Sequence, residues 1–308
     1  MILCCGEALI DMIPTECISG ETGFVPHAGG AVFNTAIGLG RLNIPTGFLS
    51  GISSDLFGDR LRHALDASQV NASFTINSDR PTTLAFVHLT DGKATYTFYD
   101  ENSAGRELHA DALPNVPKIA TAMYFGGISL INEPCAEFYV CLAEREAVQK
   151  VIIADPNIRP EFIQDEQNYR IRLSRLIKVA DIVKVSDEDL DWIIPGSASL
   201  ESKATKLQDQ GPHIVILTRG SEGASALMAN DSWIKVSSEE VDVVDTVGAG
   251  DTFNSGLLAK LYKKGFLKKE TVDEIGDSEM EEALRQGARV AAVNVSRAGA
   301  NPPWAYEL

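Results

Sequence analysis

The seven residues Asp245-Thr246-Val247-Gly248-Ala249-Gly250-Asp251 run directly into a helix-like stretch, Thr252 to Ala259, setting small residues and a carboxylate at a helix start. Gly248, Ala249 and Gly250 lack bulk, so backbone amides at the positive end of a helix dipole can approach a charged group closely. An anion belongs there, and phosphate is the anion that such loops take most readily. Asp251 would repel that anion as a bare charge, but it becomes useful if it accepts the proton of a hydroxyl attacking phosphorus. The competing reading is a glycine-rich turn whose Asp caps the helix.

A second glycine-rich segment lies far away: Ala28-Gly29-Gly30-Ala31-Val32-Phe33-Asn34-Thr35-Ala36-Ile37-Gly38-Leu39-Gly40-Arg41-Leu42, followed by Gly51-Ile52-Ser53-Ser54-Asp55-Leu56-Phe57-Gly58. With both segments in this order, the chain from Gly6 to about Pro303 resembles the ribokinase-like (PfkB) family of ATP-dependent sugar and nucleoside kinases. The resemblance implies that Asp251 is the catalytic base and that the amides of Gly248, Ala249 and Gly250 hold the transferred phosphoryl group. It places Asp11, Gly29, Gly30, Asn34 and Phe98 against the sugar. Arg159, in Asp155-Pro156-Asn157-Ile158-Arg159-Pro160, becomes a clamp on substrate and transferred phosphate, its permanent charge suited to developing anion.

For the nucleotide, the resemblance points to Thr218, Gly220 and Gly223 in Thr218-Arg219-Gly220-Ser221-Glu222-Gly223-Ala224, and to Lys184, Ser186, Gly248, Gly250 and Asn294. Relatives carry an Asn and, three residues on, a Glu that orders Mg²⁺; here Ser186 and Asp189 occupy those places. The Asp187, Asp189, Asp191 spacing of a calcium loop fails, because Trp192 stands where the turn glycine is required and Ala198 where the Glu should be. Asp245, Val247 and the Asn294 to Gly299 region are the expected holders of a monovalent cation, K⁺ by the hardness of oxygen donors.

The chain has 308 residues, 44% of them hydrophobic, enough for a large core, and is expected to be a single kinase domain over 1–308. A net charge of −16 disfavours nucleic acid and anionic membrane as partners. Five cysteines without a CxxC pair, and no export signal, fit a reduced cytoplasm.

Short apolar runs alternate with helical patterns: Ile2 to Cys5, the Ala31 to Leu42 helix, Thr46 to Ser50, the Phe57 to Ser68 helix, Val151 to Ala154, Asp181 to Val185, and Ile214 to Leu217. Such a pattern predicts an α/β fold with a mostly parallel sheet buried on both faces and ligands at the carboxyl ends of its strands. With the resemblance, this becomes a ribokinase-like three-layer αβα fold carrying a small antiparallel β lid. Thr83 to Leu89 and Ala94 to Tyr99, joined by Thr90-Asp91-Gly92-Lys93, read as a hairpin. With Asp11 to Pro14 and Phe24 to His27 they build the lid, from segments of about 11–28 and 83–105. In the family such a lid covers the sugar and often forms a homodimer interface.

The Tyr96 to Arg106 segment is most like fructokinases, with Asp100 where sugar-acid kinases tend to carry a base. The expected reaction is therefore MgATP plus D-fructose giving fructose 6-phosphate. The alternatives are a 2-keto-3-deoxygluconate kinase, another ribokinase-like sugar or nucleoside kinase, and, from a different class, a catalytically silent sugar-binding sensor.

Overall fold

The computed structural model describes residues 1–90 and 93–308. Along the chain, β1 (Ile2–Cys5), β2 (Leu9–Glu16) and β3 (Thr22–Gly29) lead into α1 (Ala31–Arg41), then β4 (Thr46–Leu49) and β5 (Gly51–Ser53) into α2 (Leu56–Ala67). β6 (Val70–Asn71), β7 (Ile76–Ser78), β8 (Leu84–Thr90), β9 (Lys93–Tyr99) and β10 (Ala122–Gly126) precede α3 (Cys135–Glu146). β11 (Val151–Asp155) and α4 (Glu166–Val179) follow, then β12 (Ile182–Ser186), α5 (Asp187–Ile193) and α6 (Leu200–Gln208). β13 (Ile214–Thr218), β14 (Ala224–Leu227) and β15 (Trp233–Val236) precede α7 (Ala249–Lys263) and α8 (Asp277–Val295).

Nine strands form the main sheet in the order β15-β14-β13-β12-β11-β10-β1-β4-β6. It is parallel from β6 to β13, and only β14, between β13 and β15 at one edge, runs the opposite way. Successive residues of β1 separate into two cores. Ile2 and Cys4 pack with α1, α2, α7 and α8, while Leu3 and Cys5 pack with α3, α4, α5 and α6. This is the three-layer arrangement expected from the resemblance, and it explains why the strands read as continuous apolar runs.

The order also locates a crevice. From β1 the chain goes to β4 on one side, and later to β10 on the other, so the connections leaving β1 and β10 diverge and open a gap at their carboxyl ends. Glu7, Gly127 and Asp155 follow or end β1, β10 and β11 at that gap.

The second sheet, β3-β2-β8-β9, is the predicted lid. Its outer pairs are antiparallel, but β2 and β8 pair in parallel, because two separate hairpins are joined side by side. Asp11 lies inside β2, paired with His27 and Ala85. The expected turn at Asp91 and Gly92 lies outside the described residues. Among the described residues no helix is long and apolar enough to cross a membrane.

Candidate active site

A cleft of about 410 Å³ opens between the lid and the carboxyl ends of the central strands. Asp11, Tyr96 and Phe98 reach it from the lid, Glu7 from the end of β1, and Gly30, Ala31 and Asn34 from the start of α1. Asp155, Asn157 and Arg159 enter from the end of β11, Lys184 from β12, and Thr246 to Asp251 from the start of α7.

The start of α7 is built as the sequence requires. Gly248 takes a left-handed conformation at φ 73°, and a Cβ there would sit 2.7 Å from the Cβ of Ala300. The Ala249 amide donates to the Thr246 carbonyl at 3.2 Å, closing the turn. Among the described residues the amides of Gly248, Gly250 and Asp251 have no hydrogen-bond partner, so this helix start keeps donors available to an anion. A Cβ on Gly250 would lie 3.4 Å from Lys184 Nζ, which places that ammonium beside the loop.

Asp251, in the first turn of α7, is buried. Its Oδ2 accepts a hydrogen bond from Asn34 Nδ2 at 2.9 Å, and its backbone carbonyl accepts one from the Thr35 hydroxyl at 3.2 Å. Burial is the main reason its pKa rises to about 7, with the Asp155 and Glu7 carboxylates adding to the rise and Asn34 and Lys184 opposing it. Asp11, with little solvent around it, is raised to about 6 by burial. Gly29 makes room for that carboxylate, since a Cβ there would overlap Asp11 Oδ2. Burial likewise works against the charge of Lys184, but Asp155, Asp189 and Asp251 more than offset it, so the ammonium is held above its ordinary pKa. Its Nζ lies 3.1 Å from Asp155 Oδ2.

Arg159 lines the cleft and donates to the Ile158 carbonyl at 2.9 Å. Phe162, just beyond it, meets Phe98 of the lid edge to face at 4.7 Å, tying the Arg159 loop to the lid. Thus Asp11, Gly30, Asn34, Phe98, Arg159, Lys184, Gly248, Ala249, Gly250 and Asp251 share one cavity, with Gly29 immediately behind Asp11.

Other expected residues stand outside its walls. Ser186 and Thr218 pair at the ends of β12 and β13, and Gly220 and Gly223 take positive φ in the turn beyond. Asn294 is fully buried. It donates to the Val247 carbonyl at 2.8 Å and accepts from the Asn301 amide at 2.7 Å, latching the α7 loop to the chain after α8. Asp245 accepts from Val247 N at 3.0 Å and from Gly299 N at 2.8 Å, so Asp245, Val247 and Gly299 do meet. Asp189 takes the Ile158 amide on one oxygen at 2.8 Å and the Ser186 amide on the other at 3.0 Å, fastening the Arg159 loop to the start of α5.

Asp100, used above to weigh substrates, is not in the cleft wall; it accepts from the Thr83 and Ser103 hydroxyls. Two groups escaped the sequence reading. Asn254, one turn beyond Asp251, is buried and donates to Asp155 Oδ2 at 2.6 Å and Tyr124 Oη at 2.8 Å. Glu7 is buried at the cleft with both oxygens engaged. Its only signal was an acid just past an apolar strand, at the end where ligands bind.

The family model for pfkB family carbohydrate kinases matches residues 1–305. The chain is 49% identical over 288 residues to a fructokinase of Rhizobium leguminosarum bv. trifolii, spanning 93% of this chain and 86% of that protein. Its fold superposes with a TM-score of 0.89 on a fructokinase from Xylella fastidiosa with bound ATP, at 27% identity and covering 97% and 93% of the two chains. A fructokinase double mutant from Vibrio cholerae O395, bound to fructose, ADP and potassium, gives 0.83 at 26% identity, covering 97% and 93%. The chain belongs to the pfkB family of carbohydrate kinases and is an ATP-dependent phosphotransferase.

The burial of Asp251 has a testable cost. Its folded pKa of about 7 exceeds the ordinary 3.8, so the native state holds a proton that the unfolded chain releases between those values. This carboxylate therefore destabilises the fold progressively as pH rises through that window, by roughly 4 kcal/mol at most once above it. Asp251→Asn should raise Tm at about pH 8 and lose that advantage near pH 4. A Tm difference independent of pH would show that the carboxylate is not raised.

Proposed function

We propose that this pfkB-family chain transfers the γ-phosphoryl group of ATP to the primary 6-hydroxyl of D-fructose, giving fructose 6-phosphate and ADP. The observation that carries the reading is Asp251: a carboxylate with pKa near 7, oriented by Asn34, beside free amides and an ammonium at one helix start. The kinship with fructokinases supports the choice of sugar.

In this reading Asp11 and Asn34 receive the sugar hydroxyls, Gly30 lets the ring approach the backbone, and Phe98 covers its apolar face. The 6-hydroxyl oxygen attacks the γ-phosphorus while Asp251 takes its proton, and the bond to the β,γ-bridging oxygen breaks to release ADP. The amides of Gly248 and Gly250, Lys184 and Arg159 stabilise charge on the transferred group; Thr218, Gly220, Gly223 and Ser186 extend the site toward the rest of the nucleotide.

Magnesium supplied with the nucleotide would neutralise phosphate charge. Asp155, whose Oδ1 is buried without a hydrogen-bond partner, fits such a hydrated cation better than Asp189, whose oxygens both serve backbone amides. The meeting of Asp245, Val247 and Gly299 supports a monovalent-cation role for that loop, with potassium bound in the Vibrio cholerae relative. All five cysteines are free, in keeping with a reducing cytoplasm.

Glu7, Asp11, Asp155 and Asp251 surround the cleft, so a neutral polyol suits it and a sugar acid would meet like charge. The lid's outer surface exposes Phe24 and Tyr99, and Phe86 links the two rings edge to face, which supports a homodimer through the lid. Sedimentation should find a dimer that Tyr99→Glu dissociates; a wild-type monomer would remove this part of the reading.

Sugar-dependent ADP release should be largest in kcat/KM for fructose over 2-keto-3-deoxygluconate, ribose, glucose and adenosine. It should rise with pH through about 7, since the base works only when deprotonated. Asp251→Asn should cut turnover by about 10²- to 10⁴-fold while leaving sugar binding intact. Dominance of ketodeoxygluconate would move the assignment to a sugar-acid kinase, and binding without turnover to a sensor.

A further inference from the structure

Three backbone amides from two separate elements converge on one buried side chain. Glu7 Oε1 accepts from Ala31 N at 2.8 Å and from Val32 N at 3.4 Å, and Oε2 accepts from Ser129 N at 3.3 Å. The helix concerned has no cap of its own, because Gly30 precedes it and its first turn holds no acid. Glu7 thus caps α1 from a position 24 residues earlier in the chain, at the carboxyl end of β1.

Space is cleared for Glu7 on two sides, at its carboxylate and at its backbone. A Cβ on Gly127, itself at φ +69°, would overlap Glu7 Oε1, and one on Gly30 would meet the Glu7 carbonyl oxygen at 2.9 Å. The far end of Glu7's loop is pinned as well, by the Tyr139 hydroxyl donating to the Gly6 carbonyl at 3.1 Å. An amide side chain could not do the same work. Glutamine has one acceptor oxygen, so its NH₂ would face either Ser129 N–H or the two amides of α1. A carboxylate stands here although burial lifts its pKa to about 7.

What the capped turn carries is the group that orients the proposed base. The Asn34 amide donates to Gly30 O at 2.8 Å within that same turn, and the Asn34 side chain then reaches Asp251. Thr35, next along, bonds the Ala31 carbonyl and the Asp251 carbonyl with its one hydroxyl. We propose that Glu7 is a positioning residue for phosphoryl transfer: by capping α1 from the end of β1, it keeps Asn34 aimed at Asp251. The proposal rests on the reading of Asp251 as the base.

The test is a double-mutant cycle on kcat/KM for fructose, with KM for ATP followed in parallel, using E7Q, N34A and the combination. E7Q should lower kcat/KM for fructose about tenfold while KM for ATP stays within about twofold. The double variant should be no more than about twofold slower than N34A alone, because both changes remove one interaction. Losses that multiply, or wild-type kinetics in E7Q, overturn the proposal. Gly127→Ala presses on the same carboxylate from its other side and should show the same non-additivity with N34A; it decides the matter if E7Q does not fold. Asp251→Asn in the same assay separates the two levels. Wild-type turnover by that variant would sink the base assignment itself, whereas an Asp251→Asn cut by about 10²-fold or more beside a fully active E7Q would sink only the role of Glu7.

Discussion

A single hydrogen bond between two helices, from Asn34 on α1 to the buried carboxylate of Asp251 on α7, sets the terms for much of this molecule. To make it, the two helices must approach closely, and their sequences are thinned accordingly. A Cβ on Gly38 of α1 would lie 2.7 Å from the Cβ of Ser255 on α7. On the opposite side of α7, Gly256 and Gly287 play the same part against α8, where a Cβ on Gly287 would come within 2.9 Å of the Phe253 ring. Side chains at these positions would force the helices apart, and Asn34 would no longer reach. These small residues are the packing condition for the Asn34–Asp251 contact.

The electrostatics follow from the same burial. A carboxylate withdrawn from water gains basicity, which a proton acceptor needs near neutral pH, but it would be ruinous for the fold if left with only like charges around it. Lys184 and Asn254 hold the neighbouring carboxylate of Asp155, so that one acid in the cleft is matched by an ammonium and an amide. Asn254 is rooted in α7 itself and also grips Tyr124 of β10. The start of α7, with its unpaired amides, is thereby fixed to the central sheet from below. Stability and basicity pull in opposite directions at Asp251, and the network around Asp155 limits the damage.

Much of this was legible in the residues. Apolar runs such as Val151 to Ala154 and Ile214 to Leu217 are strands because both faces are buried, and the glycines at 248 and 250 foretold a tight helix start whose amides are left unpaired. Local pattern ends where long-range pairing begins. Nothing near Glu7 indicates that its acceptors will be met by Ala31, Val32 and Ser129, and nothing near Asp155 announces Asn254, which lies 99 residues on. Asp189 was read for its charge, yet its oxygens serve two backbone amides. Asp100 was placed beside the substrate by its neighbourhood in sequence, whereas Thr83 and Ser103 draw it into the lid's own support. Even the lid shows the limit: one hairpin and two further lid segments could be foreseen, but the parallel pairing of β2 with β8 is a tertiary choice.

The claim at the centre of this account is that the Asp251 carboxylate, held by Asn34 in a dry cleft, has a proton affinity far above that of an ordinary aspartate. A pH titration followed by carboxyl infrared absorption, taken as the difference between the wild-type protein and Asp251→Asn, reads that group alone. The expected protonation midpoint lies near 7. A midpoint near the ordinary value of 3.8 would contradict it, because the carboxylate would then be fully solvated and as weak a base as any on the surface.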